Sequence, residues 1–179
     1  MLDLRIKLDE KEQARADSVL GELADRAENI EGGLRNVGEA ILQVTDVLFE
    51  TQTDPQGRPW APLALTTIML RGGSGHILQV SGRLRRSASY NVAGNVLRVG
   101  LNAPPYDTVH QFGSTHEINA KPGGALKVPV VGNAGFGFVL RASVIVSIPA
   151  RPIIGFGPRH EEASRDAIED WLAVDGLGE

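Results

Sequence analysis

The hydrophobic period of the chain changes from helical to extended along its length, and this change constrains the fold more than anything else in the sequence. Leu34, Val37, Ile41, Val44 and Leu48 recur at alternating steps of three and four, which places them on one stripe of a helix. Phe138, Leu140, Ala142, Val144, Val146 and Ile148 alternate strictly, which predicts the longest strand of the chain over 138–148. A helical stripe has to be covered, and a sheet or a neighbouring subunit is what can cover it.

Upstream, Leu20, Leu23, Ala27 and Ile30 make a second stripe. Glu31-Gly32-Gly33 separates the two, and paired glycines predict a break there, giving two helices or one bent helix. Asp54-Pro55-Gln56-Gly57 reads as a turn, residues 65–70 as a short helix, and residues 77–86 as another that carries Leu78 and Leu84. Alternation over 87–101 around Gly94-Asn95 predicts a β-hairpin. One helical turn is expected over 106–111, a loop over 115–124, and a short edge strand over 126–131 because Pro129 interrupts it. A turn over 133–137 and a C-terminal amphipathic helix over 161–174 complete the reading. The fold class is α+β: N-terminal helices, a small, mostly antiparallel sheet and a C-terminal helix. A single domain spans 1–179, with a helical arm over 1–50, a core over 51–156, and a helix and tail over 157–179.

With 42% hydrophobic residues the chain can bury a core without disulfides or metals, and it has no cysteine. That excludes thiolate zinc sites, cysteine nucleophiles and redox motifs. No apolar run approaches the ~20 residues of a membrane span, and the first eleven residues lack a signal-peptide core. A soluble protein, not secreted and without membrane partners, is the expectation. The net charge of −4 gives no global drive toward phosphate backbones. Arg83, Arg85 and Arg86 form a local basic patch that suits a DNA-binding adaptor, although a solvated helix face or an acidic neighbour explains it more simply.

Candidate chemistry is sparse. His110, His116 and Glu117 invite a metal-dependent hydrolase, but their spacing fits no metal motif of known geometry, and His110 is read as a hydrogen-bonding residue beside Phe112. Ser74 lacks the second glycine of a nucleophile elbow, because His76 stands where it is required. Residues 132–137 are glycine-rich but lead into a strand, so a hairpin turn is preferred to a phosphate loop. Arg151, among Pro149, Ala150 and Pro152, predicts a planar bidentate pair with a carboxylate of the fold or of a neighbour. Trp60, held between Pro59 and Pro62, is either a docking anchor or a plug in the core beneath the first helices, and the plug is preferred. No acid, base and nucleophile come together, and no catalytic, metal or cofactor site is assigned.

Four strings carry more information than any of these residues alone. They are Gly57-Arg58-Pro59-Trp60-Ala61-Pro62-Leu63, Ile77-Leu78-Gln79-Val80-Ser81-Gly82-Arg83-Leu84, His110-Gln111-Phe112-Gly113 and Ile148-Pro149-Ala150-Arg151-Pro152. In this order they resemble the virion morphogenesis (tail completion) family of tailed phages, Mu-like phages among them, over residues 49–156. The resemblance marks Trp60, Ser81, Gly82, Leu84, His110, Gln111, Phe112, Gly113, Arg151 and Pro152 as fold-defining or interface positions. Asp107-Thr108 and residues 119–135 depart from the family pattern. What the resemblance implies is a structural, non-enzymatic virion protein at the tail–neck junction, assembled in the host cytoplasm. It would complete or terminate the tail and take part in head–tail joining. Its implied partners are further copies of itself in a ring, a hexamer by preference, with the tail tube, the sheath and head-connector proteins, and DNA only as passing cargo.

Overall fold

The computed structural model describes residues 9–73, 75–133 and 135–173. Helix α1 (Glu10–Glu28) starts at a reciprocal cap in which Asp9 accepts from the Glu12 amide at 2.7 Å and Glu12 accepts from the Asp9 amide at 3.3 Å. None of its residues is buried. The break that follows is at Asn29 and Ile30, and not at the paired glycines, which lie inside the first turn of α2 (Glu31–Thr51). The reason is steric. A Cβ on Gly32 or Gly33 would stand 2.3 or 2.8 Å from ring atoms of Trp171, so the glycines admit the indole of the C-terminal helix. Helix propensity yields here to close packing.

Helix α2 is the central element. One side meets α6 (Pro158–Leu172), and another meets the hairpin of β1 (Ala88–Ala93) and β2 (Val96–Leu101). The hairpin closes at Gly94-Asn95 as expected, pairing Ala88 with Leu101 and Ala93 with Val96. At the foot of α2 lies the core: Phe49, Trp60, Ile77, Leu84, Ala103 and Ile153, with Leu63, Leu78 and Leu101 packed against it. Phe49 and Trp60 meet edge to face at 5.5 Å. The plug reading of Trp60 therefore holds.

Helix α3 (Leu65–Leu70) appears where expected, and α5 (Tyr106–Phe112) runs slightly past the predicted turn. The helix predicted over 77–86 shrinks to α4 (Arg83–Arg86). The Ile77 amide donates to Oε1 of Gln52 at 2.9 Å, and Gln79 donates to the Phe49 carbonyl at 2.5 Å, so this stretch is tied to the end of α2 instead of to itself. Leu78 and Gly82 consequently sit at positive φ. The C-terminal helix starts earlier than expected, with Pro158 in its first turn, and Val174 lies outside the described residues.

The remaining strands form one long antiparallel ribbon in two halves. β3 (Ser114–Asn119) pairs with β6 (Ser143–Ile148), and β4 (Leu126–Gly132) pairs with β5 (Gly135–Arg141). Two sequence readings are corrected here. The first half of the loop expected over 115–124 is strand β3, and the single strand expected over 138–148 bends at Ala142 between β5 and β6. Both changes have one cause. Asn119 is opposite Ser143 but Leu126 is opposite Arg141, so the partner strand makes an excursion beside that bend. The sheets are antiparallel pairs, and the architecture is α+β.

Candidate functional site

Trp60, His110, Gln111 and Gly113 converge on the segment leading from β6 to α6, which carries Arg151 and Pro152. Trp60 donates from Nε1 to the Pro152 carbonyl at 2.8 Å. Gln111 accepts on Oε1 from the amides of Ile153 (2.9 Å) and Ile154 (3.1 Å), and donates from Nε2 to the Ile154 carbonyl at 2.7 Å. The Arg151 amide donates to the His110 carbonyl at 2.6 Å. One glutamine side chain thus replaces a strand partner, and one indole N–H is satisfied as it enters the core.

Arg151 is buried, but among the described residues it faces no carboxylate. Its Nε donates to the Ala61 carbonyl at 2.7 Å and its Nη2 to the Pro62 carbonyl at 3.0 Å. Pro62 and its neighbours cannot supply an acid, and a planar guanidinium suits two carbonyls that lie one residue apart equally well. The expected carboxylate pair is corrected accordingly. Gly113, at φ 76°, brings the chain so close to Ala150 that a Cβ would meet its amide nitrogen at 2.9 Å.

Arg71 lines three hollows, and His110 lines the first and third of them. One, of about 360 Å³, is lined by Arg71, Val80, Ser81, Arg83, Tyr106 and His110 among others. A second, of about 490 Å³, shares Arg71 and Val80 and adds Leu70 and His76. The third reaches Thr67, Ile148 and Arg151. Burial, then the charges of Arg151 and Arg71, push the His110 pKa below its ordinary value, so the ring is neutral near pH 7. Its Nδ1 is enclosed without a hydrogen-bond partner, so the expected hydrogen-bonding role is carried by its backbone carbonyl and not by the ring. His116 is on β3, exposed, with Nδ1 3.2 Å from Ser114 Oγ. Among the described residues no three His, Cys, Asp or Glu side chains gather as metal ligands. Ser74 lies outside the described residues.

The three clustered arginines part company. Arg85 is clamped by Asp46 and Glu50 of α2, which holds the Asp46 carboxyl below its usual range. Arg86 donates to the Ser81 carbonyl at 2.9 Å, and Arg83 lies 5.9 Å from the Tyr106 ring centre. Leu84 is in the core, Gly82 turns the chain into α4, and Phe112 is exposed. Sequence reasoning missed His160, which is fully buried and held below its ordinary pKa by that burial. It also missed Gln52 and Gln79, whose clamps depend on positions that no local pattern announces.

Comparison with known proteins accords with these motifs. The family model of the phage virion morphogenesis family matches residues 11–173. The putative capsid assembly protein G of Escherichia phage Mu is 26% identical over 145 residues, covering 78% of each chain. No solved structure matches the chain. The match covers nearly all the described residues, and the chain belongs to the phage virion morphogenesis family.

Proposed function

From membership of the phage virion morphogenesis family as the premise, we propose that this chain is a non-enzymatic structural protein of a tailed-phage virion. It completes or terminates the tail and takes part in head–tail joining at the neck, as a closed ring of copies, with a hexamer as first choice. The Mu relative, named as a capsid assembly protein, supports an assembly role of this kind. The observation that carries the reading is the β3–β6 ribbon. It exposes Phe138, Leu140 and Ile145 and has no buried residue among those described, so within one copy it is unfinished. Apolar side chains on an open two-stranded ribbon are stable in water only at a cost that a neighbour removes. A heterologous contact that closes on itself makes a ring.

In this reading Trp60, Gln111, Gly113, Arg151 and Pro152 define the fold, while Phe112 and the arginine-lined hollows are free to meet partners. Those partners are the tail tube, the sheath and the head connector, with DNA as passing cargo. The test is complementation of a phage lacking the gene by a Leu140→Ser, Ile145→Ser double variant. Free heads and unjoined tails, seen by electron microscopy beside a normally folded variant, are expected. Full plating efficiency with intact particles would overturn the reading.

A further inference from the structure

Charge is distributed unevenly along the fold. Helices α1 and α2 hold ten acidic residues against four basic ones, and α6 holds five against two. Residues 52–157 hold three acidic against ten basic. The stretch 65–86 is the extreme, with four arginines and no acid. Arg85 is engaged by α2, but Arg71 and Arg83 face no carboxylate among the described residues. Around them the surface is apolar: Leu65, Met69, Leu70 and Val80 are all exposed, Val80 at 73%. An exposed apolar patch rimmed by cations, lying over two adjoining hollows, fits an amphipathic acidic helix.

The chain carries such a helix. α1 has six acidic residues and three basic ones, buries none of its side chains, and leaves Leu20 63% exposed. Asp17 lies three residues before Leu20 and Leu23 three after, so they share a face on which acid flanks apolar. Its tie to the same chain is at the far end, where Arg26 donates to the carbonyls of Trp171 and Ala173 at 2.7 Å each. We infer that α1 of one copy docks on the Arg71, Val80 and Arg83 surface of a second copy, Leu20 seated on Val80 and Asp17 facing the arginines. This rests on the reading of the chain as a self-assembling virion protein, and it names the joint between neighbours. Its direction is head to tail, as a ring requires.

The absence of cysteine makes the test clean. Full-length Leu20→Cys and Val80→Cys chains are mixed in equal amounts, allowed to assemble and oxidised. Both sites are exposed, and circular dichroism confirms that the variants fold. A disulfide-linked dimer of the two different chains is expected, and little or none from Leu20→Cys mixed with Ile145→Cys on the ribbon. Charge reversal by Arg71→Glu with Arg83→Glu reduces the link about tenfold, and Asp17→Arg in the other chain restores it. Assembly seen by light scattering without the Leu20–Val80 link would overturn the docking and leave the virion reading standing. A link formed only within one chain carrying both cysteines would overturn it too, as would preferential linkage to Ile145→Cys. Chains that never assemble, even beside the other virion components, would bring down both.

Discussion

The body around α2 and the β3–β6 ribbon draw on the same apolar residues with opposite results. At the foot of α2, Phe49, Ala103 and Ile153 are completely buried, and the polar atoms that accompany them are bonded: the Trp60 indole, the Gln111 amide and the Arg151 guanidinium. On the ribbon, Leu140 is 72% exposed and Ile145 71%. The difference lies in the layers. The body has α6 on one side of α2 and the β1–β2 hairpin on another, so each apolar face finds another. The ribbon is two strands wide and only skirts α3, so its cross-strand pairs are nearly all the burial it has. Stability is therefore concentrated in the body, and the apolar residues of the ribbon are left exposed.

The largest effect is expected at Trp60, in the core of the body. Trp60→Ala is expected to cost ~3–5 kcal/mol, read as a drop in the denaturant midpoint. An unchanged midpoint with failed assembly would make Trp60 a docking anchor instead of a core plug. Gly113, at the joint between α5 and the ribbon, comes next. Gly113→Ala combines a positive φ with a clash against Ala150 and is expected to cost more than ~1 kcal/mol. A loss nearer zero would show that the joint can shift without disturbing the body.

Acid weakens the body by a smaller amount. Burial lowers the His160 pKa, and burial with Arg151 and Arg71 lowers that of His110. The unfolded chain thus binds protons that the folded body refuses. Stability is full above the ordinary histidine value of 6.5 and is lost as pH falls below it toward the lowered folded values. Denaturant midpoints at about pH 8 and about pH 5 measure the loss, and His160→Gln should shallow it. The least effect belongs to the ribbon: Leu140→Ser with Ile145→Ser is expected to change the stability of the single chain by no more than ~0.5 kcal/mol. A loss rivalling that of Trp60→Ala would mean that the ribbon packs on the body in solution.

What was legible in the sequence follows the same division. The stripes of α2 and α6 and the β1–β2 hairpin were readable because each buries one face on the body, and burial on one side is what writes a period. The β5–β6 side of the ribbon was readable for its alternation, but the bend at Ala142 was not, because it is imposed by the partner strand. On that partner, Ile118 is opposite Val144, whereas Val131 is opposite Phe136, so the facing residues change from even to odd numbers across the excursion. The part of that partner before the excursion was consequently read as a loop, while 126–131 was read as the strand it is. Gly32 and Gly33 misled for another reason: their purpose is Trp171, far away in sequence. Of the site, the four motifs named Trp60, Gln111 and Arg151, which the fold ties to its inner segments, but not the bonds they make. Trp60 was placed in the core, but Arg151 was given a carboxylate where the fold offers it two carbonyls.

The excursion between Asn119 and Leu126 also makes the ribbon adjustable from the gene. It is exposed at residues 121–125, closed by a turn in which the Gly124 amide donates to the Lys121 carbonyl at 2.9 Å, and flanked by ladders that are paired independently of it. Residues spliced in there lengthen the bulge and leave both registers as they are, which is the property sought in a site for an inserted peptide. An epitope or a fluorogenic tag placed between Lys121 and Gly124 would ride on the side of the ribbon, where it could be followed in living cells as particles mature.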